Sequence, residues 1–151
     1  MGVEEHFRKL EQIYLDAPYN QHLYDDNSIE ISAGRAVIQT RVSPRHFHGG
    51  GNMHGSCYFR LLDDAAYFAV NSLIDDAMIY TVSFHVHLIR PVGEGIIIAE
   101  GEVRHKGNNR LIAESTIYNM DDKVVAFGTG EFMKSPVPLE NIRGYIDDKQ
   151  G

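Results

Sequence analysis

Val3, Phe7, Leu10 and Tyr14 recur every three or four residues, so residues 3–16 predict a short amphipathic helix. The Ala17-Pro18 step ends it, because the residue before a proline is pushed out of the helical region. Residues 18–27 are polar and predict a connector. Ile29 and Ile31 then alternate with Ser28, Glu30 and Ser32, the two-residue period of a strand. After a turn at Gly34, Ala36, Ile38, Thr40 and Val42 alternate with Arg35, Gln39 and Arg41 in a second strand, closed by Pro44. A glycine- and histidine-rich stretch over residues 45–55 predicts a loop.

The strongest helical pattern follows, over residues 54–73. Tyr58, Leu61, Leu62, Ala65, Ala69 and Leu73 share one face, and Phe59, Tyr67, Phe68 and Val70 extend the apolar surface around most of the rest. Such a helix is enclosed on most of its sides. Strands then dominate. Residues 78–90 alternate, with Tyr80, Val82, Phe84, Val86 and Leu88 on one side and Thr81, Ser83, His85 and His87 on the other. Turns at Pro91 to Gly95, at Lys106-Gly107-Asn108-Asn109 and at Asp121-Asp122 separate strands over residues 96–104, 110–119 and 123–133. Short turns make consecutive strands antiparallel neighbours. The expected architecture is α+β: an antiparallel sheet, meandering through its last four strands, curled around one long central helix. A sheet of that kind has an edge and an outer face to cover, and self-association covers both.

No repeat or low-complexity segment divides the 151 residues, so residues 1–134 predict a single domain and residues 135–151, with Pro136 and Pro138, a loose tail. The balance of 14 basic against 21 acidic residues gives a formal charge of −7, which argues against nucleic acid and anionic membranes as partners. No apolar run approaches the roughly 20 residues of a membrane span. One cysteine, Cys57, cannot form an internal disulfide, and the expected compartment is the cytoplasm.

Candidate chemistry gathers at the loop-to-helix junction. Gly49, Gly50 and Gly51 permit close approach of a ligand, and His54-Gly55 opens the central helix. The first amides of a helix lack internal partners and present the positive end of the dipole, where an oxygen gaining negative charge is stabilised. Asp63 and Asp64 each lie about 130° from the centre of the apolar stripe, on opposite flanks, so helical geometry does not choose between them. His46 with His48, and His85 with His87, have the spacing of a metal pair, but polar residues in a loop or on a strand face are ordinarily solvated, and no metal is expected.

The segment His48-Gly49-Gly50-Gly51-Asn52-Met53-His54-Gly55-Ser56-Cys57-Tyr58-Phe59-Arg60-Leu61-Leu62-Asp63 resembles the motif Asn-x-x-Gly-x-x-His-Gly-Gly-x4-Leu-x-Asp of hotdog-fold thioesterases of the phenylacetate-degradation type. Gly51, His54, Gly55, Leu61 and Asp63 match; His48 stands where that family has Asn, and Ser56 where it has the second Gly. The resemblance spans residues 28–134 and implies a hotdog fold that hydrolyses acyl-CoA thioesters between the subunits of a homodimer or homotetramer. It implies Asp63 as the catalytic carboxylate, attacking the carbonyl or activating a water. The Gly55 amide, with His54 close by, would hold the oxyanion. His48 would come from the other subunit, and Thr81 would help position the water. Coenzyme A enters as part of the substrate, with no separate cofactor, and its phosphates would meet Arg90 and the group Arg104, His105, Lys106 and Arg110. The alternatives are a hotdog protein that binds acyl-CoA or a small ligand without catalysis, and a hotdog dehydratase or hydratase. The dehydratase pattern would use His46-Phe47, but the position of its helix acid, fourteen residues after the histidine, holds Arg60.

Overall fold

The computed structural model describes residues 2–145. Helix α1 (Val3–Asp16) leads to a second short helix, α2 (Pro18–Leu23), within the segment expected as a connector. Pro18 opens α2 at a position where a missing N–H costs nothing. Strands β1 (Asp25–Ser32) and β2 (Arg35–Val42) precede the central helix α3 (Gly55–Asn71), and β3 (Ala77–Leu88), β4 (Gly95–Lys106), β5 (Leu111–Asn119) and β6 (Val124–Pro138) follow it. Among the described residues no helix is long and apolar enough to cross a membrane.

The six strands form one antiparallel sheet in the order β1-β2-β4-β5-β6-β3. The last four strands therefore do not meander in sequence. β3 lies beside β6, and β2 takes the place next to β4. In this order the sheet flanks α3 from both directions, and the helix packs against β2 and β4 through β6 as well as β3. Leu61, Leu62, Ala65, Ala66 and Ala69 of α3 are fully buried against Ala36, Ile38, Ala99, Ala113 and Ile117 of the sheet, as its wide apolar stripe predicts.

Helix and sheet meet most closely at Gly101. A Cβ there would lie 2.1 Å from the Ala65 carbonyl oxygen, so the small residues on both sides let α3 sit against β4. Gly101→Ala is expected to cost about 3 kcal/mol, the upper end for overpacking. A urea midpoint within error of the parent's would refute this contact.

The C-terminal segment is not loose where it is described. β6 continues through Ser135 and Pro138, Leu139 is buried, and Tyr145 packs in the core. His6 Nε2 lies 2.9 Å from the Asn71 carbonyl and so carries the ring proton, leaving Nδ1 to accept from the Tyr145 hydroxyl at 3.0 Å. Sequence patterning missed this because Ser135 and the two prolines read as chain-breaking while their partners lie far away in sequence. Residues 146–151 of the expected tail lie outside the described residues.

The two sheet edges differ. On β1 the Ile31 amide donates to Glu11 Oε2 at 2.8 Å and the Ile31 carbonyl accepts from Arg8 Nη2 at 2.8 Å, so side chains of α1 cap that edge. β3 is the opposite edge and exposes Tyr80, Val82 and Leu88.

Candidate active site

Asp63 and Thr81 meet because β3 breaks its alternation. Thr81 pairs with Phe132 and Ser83 with Glu131, so two residues of β3 oppose one step of β6 and Val82 forms a bulge. Strict alternation over residues 78–90 would put Thr81 on the face of His85 and His87 and oppose it to Phe84. The bulge corrects that phase: Thr81 and Phe84 both face α3, and Val82 is left 57% exposed. Thr81 Oγ1 donates to Asp63 Oδ1 at 2.8 Å. Both residues line a cleft of about 350 Å³ between α3, β3 and α1, whose walls include Ile13, Tyr14, Phe68, Met78 and Leu139.

Burial in this apolar cleft raises the Asp63 carboxyl above the ordinary carboxylate range, and the Thr81 hydrogen bond pulls it part of the way back. Asp64 lines the same cleft. Desolvation raises its carboxyl to about 7, opposed by the Arg60 guanidinium and reinforced by Asp63. Burial thus raises both neighbours, and only Asp64 has a guanidinium beside it to oppose the shift, a difference that helical angles did not reveal. A carboxyl raised from 3.8 to about 7 on folding binds its proton more tightly in the native state. Its contribution to stability is complete below the unfolded value and is lost as pH rises through about 7. The melting temperature of the parent, measured relative to Asp64→Asn, is therefore expected to fall between pH 4 and pH 7. A difference that stays constant, or grows, over that range would contradict the assignment.

His48 and Gly55 line a different cleft, of about 360 Å³, together with Tyr58, Leu88 and Arg90. The loop that carries His48 closes on itself, with His48 N donating to the Asn52 carbonyl at 2.9 Å. Gly50 N donates to His48 Nδ1 at 2.9 Å, which fixes the ring proton on Nε2, so the imidazole presents one N–H donor. A Cβ at Gly50 would lie 2.8 Å from the His48 ring, and the middle glycine of the triplet is therefore needed to seat this imidazole. His54 caps α3 in the same tautomer, its Nδ1 accepting from Ser56 N at 3.0 Å. Gly55 is the first helical residue, and its amide has no carbonyl one turn back to bond.

Gly55 and Asp63 are eight residues apart on one helix, a rise of about 12 Å. A single subunit thus divides the expected site residues into two sets: Asp63 with Thr81, and His48 with Gly55 and Arg90, His54 being the N-cap residue next to Gly55. Arg90 Nε donates to the Val124 carbonyl at 3.2 Å. Arg104 and Arg110 are engaged in cross-strand ion pairs with Glu114 and Glu131. Lys106 lines a depression near the C-terminal end of α3 with Asp75 and Asp76, and His105 is exposed on β4. The structure does not gather the expected cationic group around either cleft that holds Asp63 or Gly55.

Both ring nitrogens of His46 are occupied, Nδ1 by Ser43 N at 3.0 Å and Nε2 by the Leu23 carbonyl at 2.5 Å. This leaves no free base for the dehydratase alternative. Among the described residues no group of three or more His, Cys, Asp or Glu side chains is arranged to hold a metal ion. Sequence patterning missed Arg60, which is buried behind the cleft, and the polar residues Tyr14 and Asn20, which line it. The four-residue spacing of Arg60 and Asp64 was the available signal, since such pairs share a helix face.

The sequence profile of the Thioesterase superfamily matches residues 50–126, from the glycine loop into β6. The acyl-coenzyme A thioesterase PaaI of Escherichia coli is 31% identical over 106 residues, covering 68% of this chain and 73% of that protein. The solved structure of the E. coli PaaI protein, from the phenylacetic acid degradation operon, superimposes with a TM-score of 0.80 at 22% identity over 90% of this chain and 97% of that one. AziG of S. sahachiroi has the same fold, with a TM-score of 0.72 at 20% identity over 78% of this chain and 96% of its own.

Proposed function

Because this chain belongs to the thioesterase superfamily, as a PaaI-like hotdog thioester hydrolase, we propose that its substrates are acyl-CoA thioesters and that Asp63 is the carboxylate that cleaves them. The observation that carries this reading is Asp63 itself, held by Thr81 in an apolar cleft large enough for an acyl group. The carboxylate either takes a proton from a water as it attacks the thioester carbonyl or attacks that carbon directly to form an anhydride that water then opens. Sulfur departs as a thiolate, a far weaker base than an amide nitrogen, so no strong general acid is required. This explains how a carboxylate and an oxyanion site suffice without a Ser-His-Asp set.

The oxyanion site is assigned to the Gly55 amide, with the His48 Nε2–H as the group that orients water or substrate. Asp63 and Gly55 are too far apart on one helix to act on one carbonyl, so the working site is read as shared between two subunits. Edge strand β3 supports this arrangement. Its Thr81 end borders the Asp63 cleft, and Leu88, at its other end, lies 3.7 Å from where a Gly55 Cβ would be. Two copies of β3 paired about a two-fold axis run antiparallel, which sets the Thr81 end of one beside the Leu88 end of the other. The uncapped apolar edge of β3 is then covered. Arg90, in the Gly55 cleft, becomes the better-placed contact for a CoA phosphate, since Arg104 and Arg110 already have carboxylate partners. The buried single thiol of Cys57 fits a reducing cytoplasm.

The test is release of free CoA thiol from a panel of acyl-CoA esters by the purified protein. Turnover above the uncatalysed rate is expected for at least one acyl class. A folded protein that releases thiol from none of them, yet cleaves simple thioesters lacking CoA, would overturn the acyl-CoA assignment.

A further inference from the structure

Arg60 is buried in the middle of α3, three residues before Asp63, and is 6% exposed. Its Nη2 donates to the Tyr14 hydroxyl at 2.6 Å and to Asn20 Oδ1 at 2.7 Å. The guanidinium carbon lies 3.9 Å from the Tyr24 ring centroid and 5.4 Å from that of Tyr14, both within cation–π range. Asp64 Oδ2 lies 3.4 Å from Nε as its ion-pair partner. A buried guanidinium is costly unless its donors are paired, yet neither Nε nor Nη1 has a hydrogen-bond partner among the described residues. An apolar residue would fill this position on α3 without that penalty. What Arg60 adds is a directional link from the helix of Asp63 to α1 and to α2.

Those partners form part of the cleft. Tyr14 and Asn20 line it, along with Ile13 and Ala17 of the same N-terminal segment. Phe7 and Leu10 bury α1 in the core, and Tyr14 also packs on Phe68 and bonds Asn27, so loss of the guanidinium loosens the junction of α1 and α2 against α3 while the helix stays docked. Building on the acyl-CoA reading above, we propose that Arg60 is a positioning residue that latches α1 and α2 over the cleft as a roof. The N-terminal segment then limits the length of acyl chain that reaches Asp63.

The experiment compares kcat/KM for butanoyl-, octanoyl- and dodecanoyl-CoA. Arg60→Gln is expected to raise the dodecanoyl-to-butanoyl ratio by about tenfold, through KM and not kcat, and Arg60→Lys, which keeps the charge but not the planar fork, by less. Ala17→Phe, which adds a ring to the roof, is expected to lower the octanoyl-to-butanoyl ratio by about tenfold. An unchanged ratio in either folded variant overturns the proposal, as does an equal fall of kcat on all three esters or a lowered Tm without a change in ratio. If Arg60→Gln does not fold, Arg60→Lys takes its place, with a smaller rise in the dodecanoyl-to-butanoyl ratio expected and an unchanged ratio overturning the latch. The same ratios are read as Kd by calorimetry, which separates the two claims. Shifted binding ratios without cleavage overturn only the hydrolytic reading, and a protein that neither binds nor cleaves the esters overturns both.

Discussion

Asp63→Asn is expected to lower kcat on acyl-CoA esters on the order of a hundred- to ten-thousand-fold, the range for loss of a positioned base or nucleophile. Asn is nearly isosteric with Asp and its side-chain carbonyl can still accept the Thr81 hydrogen bond, so the cleft and the fold should survive. What is lost is the charge that attacks or deprotonates. Asp64→Asn changes a residue one step along the helix in the same cleft and should cost only a few-fold, because Asp64 is paired with Arg60 while Asp63 is the carboxylate that Thr81 holds. The sign of the pH effect follows from the same roles. In the proposed mechanism Asp63 acts in its ionised form, and burial has raised its carboxyl, so activity should climb with pH through a limb above the ordinary carboxylate range. The two variants, compared by turnover and by circular dichroism, decide the matter. Full activity in Asp63→Asn alongside inactive, folded Asp64→Asn would move the catalytic role to the second carboxylate.

Gly55→Pro should be nearly as damaging, at about a hundred- to a thousand-fold, the loss found when one oxyanion donor is removed. Proline is well tolerated at the first position of a helix, and Gly55 occupies that position in α3. His54 before it already has φ −64° and ψ 145°, the extended backbone that a following proline requires. An added Cβ would meet Leu88 at 3.7 Å, ordinary contact. The substitution therefore deletes one N–H while sparing the helix. It also tests whether the site is shared. When Asp63→Asn and Gly55→Pro chains are refolded together in equal amounts, about half the dimers are mixed, and each mixed dimer holds one site with both lesions and one with neither. Activity should return to about a quarter of the parent's. If both groups acted within one subunit, every site would keep a lesion and mixing would restore nothing.

Local periodicity was enough to place α1, α3 and the cores of all six strands, because the helical and strand repeats are properties of a few neighbouring residues. It also marked α3 as enclosed, since an apolar surface that wraps most of a helix has to be covered. The motif around Gly51, His54, Gly55, Leu61 and Asp63 singled out Asp63 from Asp64 by spacing, where helical angles left them equal. Short-range patterning also missed α2, whose six residues are too few to show a periodic apolar stripe.

Tertiary structure decided the rest. The pairing of β3 with β6 follows from how the sheet closes around α3, a choice made between strands more than thirty residues apart. The bulge at Val82 exists only in register with β6, and without it Thr81 would face away from Asp63. The burial of Arg60 appears only when Tyr14, Asn20 and Tyr24 are brought over it. The separation of Asp63 from Gly55 into two clefts likewise appears only when the loop, α3 and β3 are packed together. In each case the deciding contact joins residues distant in sequence. Its energy depends on what is packed opposite and on nothing that the adjacent residues encode.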